Sequence, residues 1–390
     1  MKKLILFARD PGGANTIIPL VKKLPKQGYK VSLFGKDTSL VKYRENKLPR
    51  HDILKSIKTV SPAAIRKFLK KEKPDGVITG TSANDFTEKY LWREAAKLGI
   101  PSFAILDHWS NYGIRFSRYG VIASSRYNRS RKLEYLPDRI FVMDDYARDE
   151  MMKVGIKKEK IVVSGQPYFE LMREKLKKIS AQRIKDFKIK HRIKPDARTI
   201  VFASEPLTED QGSTRAAKNY FGFTETSILN ELFSALKKVS LNKKNIYLII
   251  KPHPRESIEK FHKIIRENKT EKFTIKLIKT CSVWELMKAS DLICGMFSMF
   301  LIEAAILKQP VLSLQIGAGK KSQFILEKRG ILKPIKSQRE LQREIKKALN
   351  KSLAAPKNFK IITDPTKRII NYLNNFYAST SYQRRTKNPL

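Results

Sequence analysis

Residues 291–314, DLICGMFSMFLIEAAILKQPVLSL, set the architecture. An apolar run of strand length (291–295) meets a short turn, then an apolar segment of helical length (299–308), then Pro310 and a second strand-like run (310–314). Strand, helix and strand in so short a span read as a parallel βαβ crossover. Its strands are covered on both faces and so are apolar throughout instead of alternating. Ser298 stands where a helix N-cap is wanted, between Phe297 and Met299, and Glu303 falls in the second turn. A carboxylate between Ile302 and Ala304 needs a partner or a purpose, because burying an unpaired charge is costly.

The same alternation extends outward in both directions. Strand-like runs lie at 3–8, 30–35, 75–80, 102–106, 139–143 and 160–165, and again at 198–204, 245–251 and 273–278. Amphipathic helical segments lie between most of them, at 84–98, 225–241, 256–268 and 282–289, and further helices follow at 337–350 and 365–377. This pattern predicts an α/β protein made of two doubly wound Rossmann-like domains facing a cleft. The expected division is a first domain over 1–170, a basic helical linker over 171–197, a second domain over 198–362, a C-terminal helix over 363–378 and a disordered basic tail over 379–390.

Charge is the outlier of the composition. Eighty Lys and Arg against 37 Asp and Glu leave a formal +43, a field that draws anionic small molecules, anionic membranes or nucleic acid. Nucleic acid is the least expected of these, since no nucleic-acid-binding module is recognisable. No apolar run approaches the roughly 18–20 residues of a membrane span, and the opening MKKLILFARDPGG reads as a first buried strand, so a cytoplasmic protein is expected. Cys281 and Cys294 give neither a disulfide framework nor a zinc spacing.

In open parallel sheets, ligands bind beyond the carboxyl ends of the strands, so the loops there supply the candidates. After the first strand come Asp10, Gly12, Gly13 and Asn15, where paired glycines before a helix allow close backbone approach to a ligand. Thr81 and Ser82 follow the third strand. Asp107 and His108 end the fourth as an acid/base pair, with Trp109 and Tyr112 as surfaces for a sugar ring and Arg115 beyond them. From 115 to 135, arginines interleave with Phe116, Tyr119, Tyr127 and Tyr135, which suits an anionic acceptor or a membrane surface. In the second half, Ser204 and Glu205 end one strand. Lys251-Pro252-His253-Pro254-Arg255 ends the next, its two prolines holding His253 in a stiff loop.

These motifs resemble the GT-B-fold glycosyltransferases and their epimerase relatives. The segment 138–170, DRIFVMDDYARDEMMKVGIKKEKIVVSGQPYFE, is similar to the end of the first domain in that superfamily. KPHP, and the run from Ser298 through Glu303 to Pro310-Val311, are similar to its nucleotide-binding loops, nearest to bacterial surface-polymer transferases. The resemblance implies a metal-independent glycosyltransferase without a cofactor. It would move a sugar from a nucleotide-sugar to a surface-polysaccharide or lipid-linked glycan, with a peripheral place on the inner face of the membrane. His253 would touch the leaving phosphate, Lys251 or Arg255 would add charge, Ser298 and nearby amides would hold phosphate and Glu303 the ribose. Asp107 or His108 would serve as base. A UDP-GlcNAc 2-epimerase and a polyol-phosphate transferase share the fold. The epimerases, however, carry Arg-Pro-Glu after the first strand and His-Val-Glu-Ala-Gly after a later one, where this chain has Arg9-Asp10-Pro11 and Asp107-His108-Trp109.

Overall fold

The computed structural model describes residues 1–217, 219–239, 245–322, 324–357 and 359–379. It divides into two compact units, one formed by residues 1–174 with the return segment from Ile361, the other by Lys175–Lys360. The first holds a seven-stranded parallel sheet of β1 (Lys2–Ala8), β2 (Tyr29–Gly35), β3 (His51–Asp52), β4 (Gly76–Thr79), β5 (Ser102–Ile105), β6 (Arg139–Val142) and β7 (Ile161–Val163), in the order β3-β2-β1-β4-β5-β6-β7. The second holds six parallel strands, β8 (Arg198–Ala203), β9 (Ile246–Lys251), β10 (Thr274–Leu277), β11 (Leu292–Gly295), β12 (Val311–Leu314) and β13 (Pro334–Ile335), in the order β10-β9-β8-β11-β12-β13. Both are doubly wound. The order in which strands are added reverses between β1 and β4 in one and between β8 and β11 in the other, which are the switch points where such sheets open to ligands.

The central strands explain why their sequence does not alternate. In β1, Leu4, Leu6 and Ala8 pack on one face with helices Pro11–Lys23 and Pro365–Ala378, while Ile5 and Phe7 pack on the other with helices Pro62–Glu72 and Thr87–Lys97. Side chains of period two thus meet two apolar layers. In the second unit, Ile200 and Phe202 of β8 share a core with Leu232, Leu236 and Leu341.

Three features differ from the sequence expectation. The short strands β3 and β13, two residues each, carry too little apolar pattern to be seen in advance. Residues 171–197, read as a basic helical linker, are largely helical but pack within the units. The division falls inside helix Pro167–Lys177, and the next helix, Ala181–Lys190, packs on helix Val283–Lys288, with Phe187 buried and Arg183 Nε donating to Glu285 at 3.0 Å. The C-terminal helix Pro365–Ala378 is no appendage but closes the core of the first unit through Ile369, Ile370 and Leu373, with Tyr377 Oη donating to Asp75 O at 3.0 Å. Residues 380–390 of the expected tail lie outside the described residues. Among the described residues no helix is long and apolar enough to cross a membrane.

The loops at the carboxyl edge of the second sheet are locked by one glycine contact. Gly222 has φ +100°, and a Cβ there would overlap Gly317 O and lie 2.6 Å from Gly319 N, both backbone atoms that cannot rotate away. Gly222→Ala should lower the unfolding free energy by about 1–3 kcal/mol from strain alone. A shift of the urea midpoint without a change of slope checks this.

Candidate functional site

The first cluster lies at the carboxyl ends of β1, β4 and β5. Helix Pro11–Lys23 begins at Pro11, the ring that tolerates a missing amide at a first helical position, so Gly12 and Gly13 fall within the first turn rather than before it. Their role is close packing. A Cβ on Gly12 would overlap Asp107 Oδ2, and one on Gly13 would stand 3.3 Å from the Cα of Gly80. Asp10 sits at the N-cap position without capping and pairs with Arg9 at 2.6 Å; Asn15 lies one turn further along.

Arg115 is the hub of this cluster. The residue is 8% exposed, and its guanidinium donates from Nη1 to Thr81 O at 2.6 Å, to Thr81 Oγ1 at 2.9 Å and to Asp107 Oδ1 at 2.7 Å, and from Nε to Ser110 O at 3.1 Å. One buried cation therefore ties together the loops after β4 and β5, and such charge-assisted bonds are the strong ones. His108 is partly buried, with Nδ1 2.8 Å from Ser110 Oγ. Burial holds its pKa well below the ordinary imidazole range; Asp107 works against that and Arg115 with it, so the ring is neutral at pH 7.

Beneath this cluster lies a residue the sequence reading passed over. Glu88, in the first turn of helix Thr87–Lys97, is 1% exposed and accepts the amide of Ser82. Burial pushes its carboxyl up to about 8; the Ser82 amide opposes this, and the charges of Asp10, Asp85 and Asp107 reinforce it. Glu88 occupies a helix first turn, where glutamate is common for reasons of dipole alone, so nothing in the sequence distinguished it.

Trp109 and Tyr112 are placed otherwise than expected. Trp109 donates from Nε1 to the Asp144 carboxylate at 3.0 Å, stacks on Phe169 with ring centroids 5.8 Å apart and is 5% exposed. Tyr112 is also buried. Both serve to pack their loop, and neither presents a face to a sugar.

The second cluster lies at the carboxyl ends of β8, β9 and β11. The proline-flanked histidine is held more firmly than its prolines alone require. Glu256, 1% exposed, accepts from the His253 amide at 2.6 Å and from Ser204 Oγ at 2.8 Å, and pairs with Lys260 at 2.8 Å. Lys260 also pairs with Glu225 at 2.8 Å and Glu209 at 3.0 Å. His253 Nδ1 accepts the amide of Arg255 at 3.2 Å, which leaves the ring proton on Nε2. Burial, then the charge of Arg255, lowers its pKa. The result is a neutral imidazole with an Nε2–H donor on a fixed loop.

The flanking cations are committed to the protein itself. Lys251 Nζ donates to Lys279 O at 2.9 Å and Pro252 O at 3.1 Å, and Arg255 forms a two-pronged pair with Asp210 at 2.9 and 2.7 Å. The expected phosphate charge from these two is thus already engaged. At the end of β11, Gly295 leaves room for Ala203 O, 2.5 Å from where a Cβ would stand. Ser298 is the N-cap residue of helix Met299–Ile306, as read, but its hydroxyl makes no capping bond, and Oγ is buried without a partner among the described residues. The amide of Phe297 is taken by Glu205 Oε2 at 2.7 Å. Burial raises Glu205 to about 7; the Phe297 amide works against this and the charge of Glu256 with it. The Phe297 ring lies 5.1 Å from Phe221 and 5.8 Å from Phe223, and Glu303 is buried in the second helical turn. Among the described residues no group of three or more His, Cys, Asp or Glu could hold a metal ion.

No model of a known protein family matches the sequence, and no curated protein matches it. Solved structures do match. The UDP-GlcNAc 2-epimerase of Neisseria meningitidis bound to UDP-GlcNAc superposes with a TM-score of 0.69 at 16% identity, covering 96% of this chain and 100% of that one. A glycosyltransferase of Rickettsia africae gives 0.57 at 15% identity over 99% of both chains, and MurG of Acinetobacter baumannii 0.53 at 14% over 96% and 100%. At such identities the likeness is one of fold alone, the α/β arrangement of two parallel sheets known as the GT-B fold.

Proposed function

We propose that the protein is a glycosyltransferase that moves a sugar from a nucleotide-activated donor to a hydroxyl of a surface-polysaccharide or lipid-linked glycan. The observation that carries this reading is the Asp107 carboxylate, held by buried Arg115 at a strand end of the first unit with Oδ2 against Gly12. It is a fixed proton acceptor on a sheet edge where ligands bind. In the reaction the acceptor oxygen attacks the anomeric carbon, its proton passes to Asp107, and the bond from that carbon to the donor phosphate breaks. The second unit receives the leaving nucleotide. His253 Nε2–H and the N-terminus of helix Met299–Ile306 meet the charge that develops on its phosphate, so no step here requires a metal or an organic cofactor. Glu303 takes the ribose. The acid-free basic stretch over residues 115–133 supports an anionic acceptor or membrane surface as partner.

A sugar-nucleotide 2-epimerase is the second reading, favoured by the bound UDP-GlcNAc of the Neisseria structure, which makes UDP-sugars the first donors to test. One experiment addresses both. In a thermal-shift panel of UDP, GDP, CMP, CDP and their sugar conjugates, one nucleotide should stabilise the protein, by about 2.7 kcal/mol at a hundredfold excess over its Kd. The gain should vanish in His253→Ala. The stabilising sugar nucleotide is then incubated without acceptor and with glycan acceptors: isomerisation without acceptor establishes the epimerase, and an unchanged sugar nucleotide that loses its sugar only to an added acceptor establishes the transferase. No shift with any nucleotide would sink both readings.

A further inference from the structure

Glu88 is buried, belongs to no step described above, and is linked to the reacting carboxylate through the Thr81–Ser82 peptide and the hydrogen bonds on either side of it. Its Oε2 accepts the amide of Ser82. The preceding residue, Thr81, gives both its carbonyl and its hydroxyl to Arg115 Nη1 at 2.6 and 2.9 Å, and the same nitrogen holds Asp107 Oδ1 at 2.7 Å. We propose that Glu88 is a positioning residue for Asp107, acting through the turn at residues 80–82 and the Arg115 guanidinium. The inference rests on the reading of Asp107 as the proton acceptor.

The surrounding charges give this role a pH dependence. From the loop after β1, Asp10 faces Glu88 with its own partner Arg9. From the loop after β4 comes Asp85, paired with Lys36 at 2.5 Å, and from the loop after β5 comes Asp107 with Arg115. Tyr43 faces it from helix Thr38–Glu45, and Lys89, which donates to Ala83 O at 3.0 Å, follows it on its own helix. Each of the three carboxylates has a cation, whereas Glu88 has none among the described residues, and its Oε1 finds no hydrogen-bond partner there. An uncharged carboxyl fits such a place. The folded acid titrates near 8, far above the unfolded value of roughly 4.3. Its contribution to stability is therefore complete below the unfolded value and is lost as pH rises through 8. There the Ser82 amide still holds the carboxylate, but the new charge repels Asp107 and so displaces it.

The test uses Glu88→Gln, which keeps an acceptor for Ser82 without a titrating proton, and Glu88→Ala, which removes the acceptor. With the full-length protein and its nucleotide-sugar, kcat should fall above pH 8 in the wild type and not in Glu88→Gln. Glu88→Ala should lose turnover on the order of 10²-fold at pH 7 with the donor KM unchanged, and Glu88→Gln should restore it. Carboxyl ¹³C titration gives a readout independent of any substrate. One glutamate resonance should titrate near 8 and vanish in Glu88→Gln, and the Asp107 resonance should move with it. A Glu88 that titrates in the ordinary carboxylate range, an Asp107 resonance indifferent to it, or an alkaline limb that persists in Glu88→Gln overturns the proposal. Absence of turnover with these titrations intact overturns only the transferase reading.

Discussion

Asp107→Asn should lower turnover by about 10²–10⁴-fold while nucleotide affinity changes less than about twofold, within the tolerance expected for sites that share no partner. The substitution is nearly isosteric. Asparagine Oδ1 can still accept from Arg115 Nη1, now 2.7 Å from the carboxylate, and the amide nitrogen then lies against Gly12, where the missing Cβ leaves it space. What is lost is the capacity to take a proton from the acceptor hydroxyl. The groups assigned to the nucleotide, His253 and Glu303, belong to the second unit and do not depend on this substitution. Initial rates with the donor found by thermal shift, beside nucleotide Kd values from calorimetry, separate the effects. A full rate in Asp107→Asn would transfer the role to His108, whose neutral ring is the other acceptor in this loop, and His108→Ala would then carry the loss.

How much of this was legible in the sequence follows from the physics of each element. The long central strands were readable because a parallel strand covered on both faces is apolar throughout. Leu4–Ile5–Leu6–Phe7 and Leu248–Ile249–Ile250 announce themselves. Two-residue strands such as His51–Asp52 carry no such signal. The loops beyond strand carboxyl ends were readable from the strand pattern, which put Asp107 and Arg115 after β5, His253 after β9 and Ser298 after β11. Their partners were not findable, because a hydrogen bond between residues 34 or 52 positions apart leaves no local pattern. Thr81 with Arg115 and Ser204 with Glu256 are of this kind. Nor could composition say that Trp109 turns inward to Asp144, since a tryptophan at a loop reads equally as platform or as packing. Cations flanking a histidine likewise looked like phosphate ligands until Asp210 and the Lys279 carbonyl were seen to hold them.

Arg115→Met should destabilise the first unit by about 3–5 kcal/mol, the usual result of removing one partner of a buried ion pair. Methionine fills much of the same volume, so the loss is electrostatic rather than a cavity. Four hydrogen bonds disappear at once, leaving the Thr81 carbonyl and the Ser110 carbonyl without this donor and Asp107 without its cation. Unfolding of this unit can be followed separately. Trp92 and Trp109 lie in it and Trp284 in the other, so a Trp284→Phe background makes the fluorescence transition in urea report the first unit alone. If stranding the Asp107 charge is the main cost, then Arg115→Met combined with Asp107→Asn should be less destabilised than the sum of the two, with a coupling of roughly 0.5–3 kcal/mol. Strict additivity would mean that Arg115 acts chiefly through the two loop carbonyls. Asp107 would then be held in place by the packing of Gly12 and not by charge, and a neutral hydrogen-bond donor of similar reach at position 115, as in Arg115→Gln, should recover most of the stability.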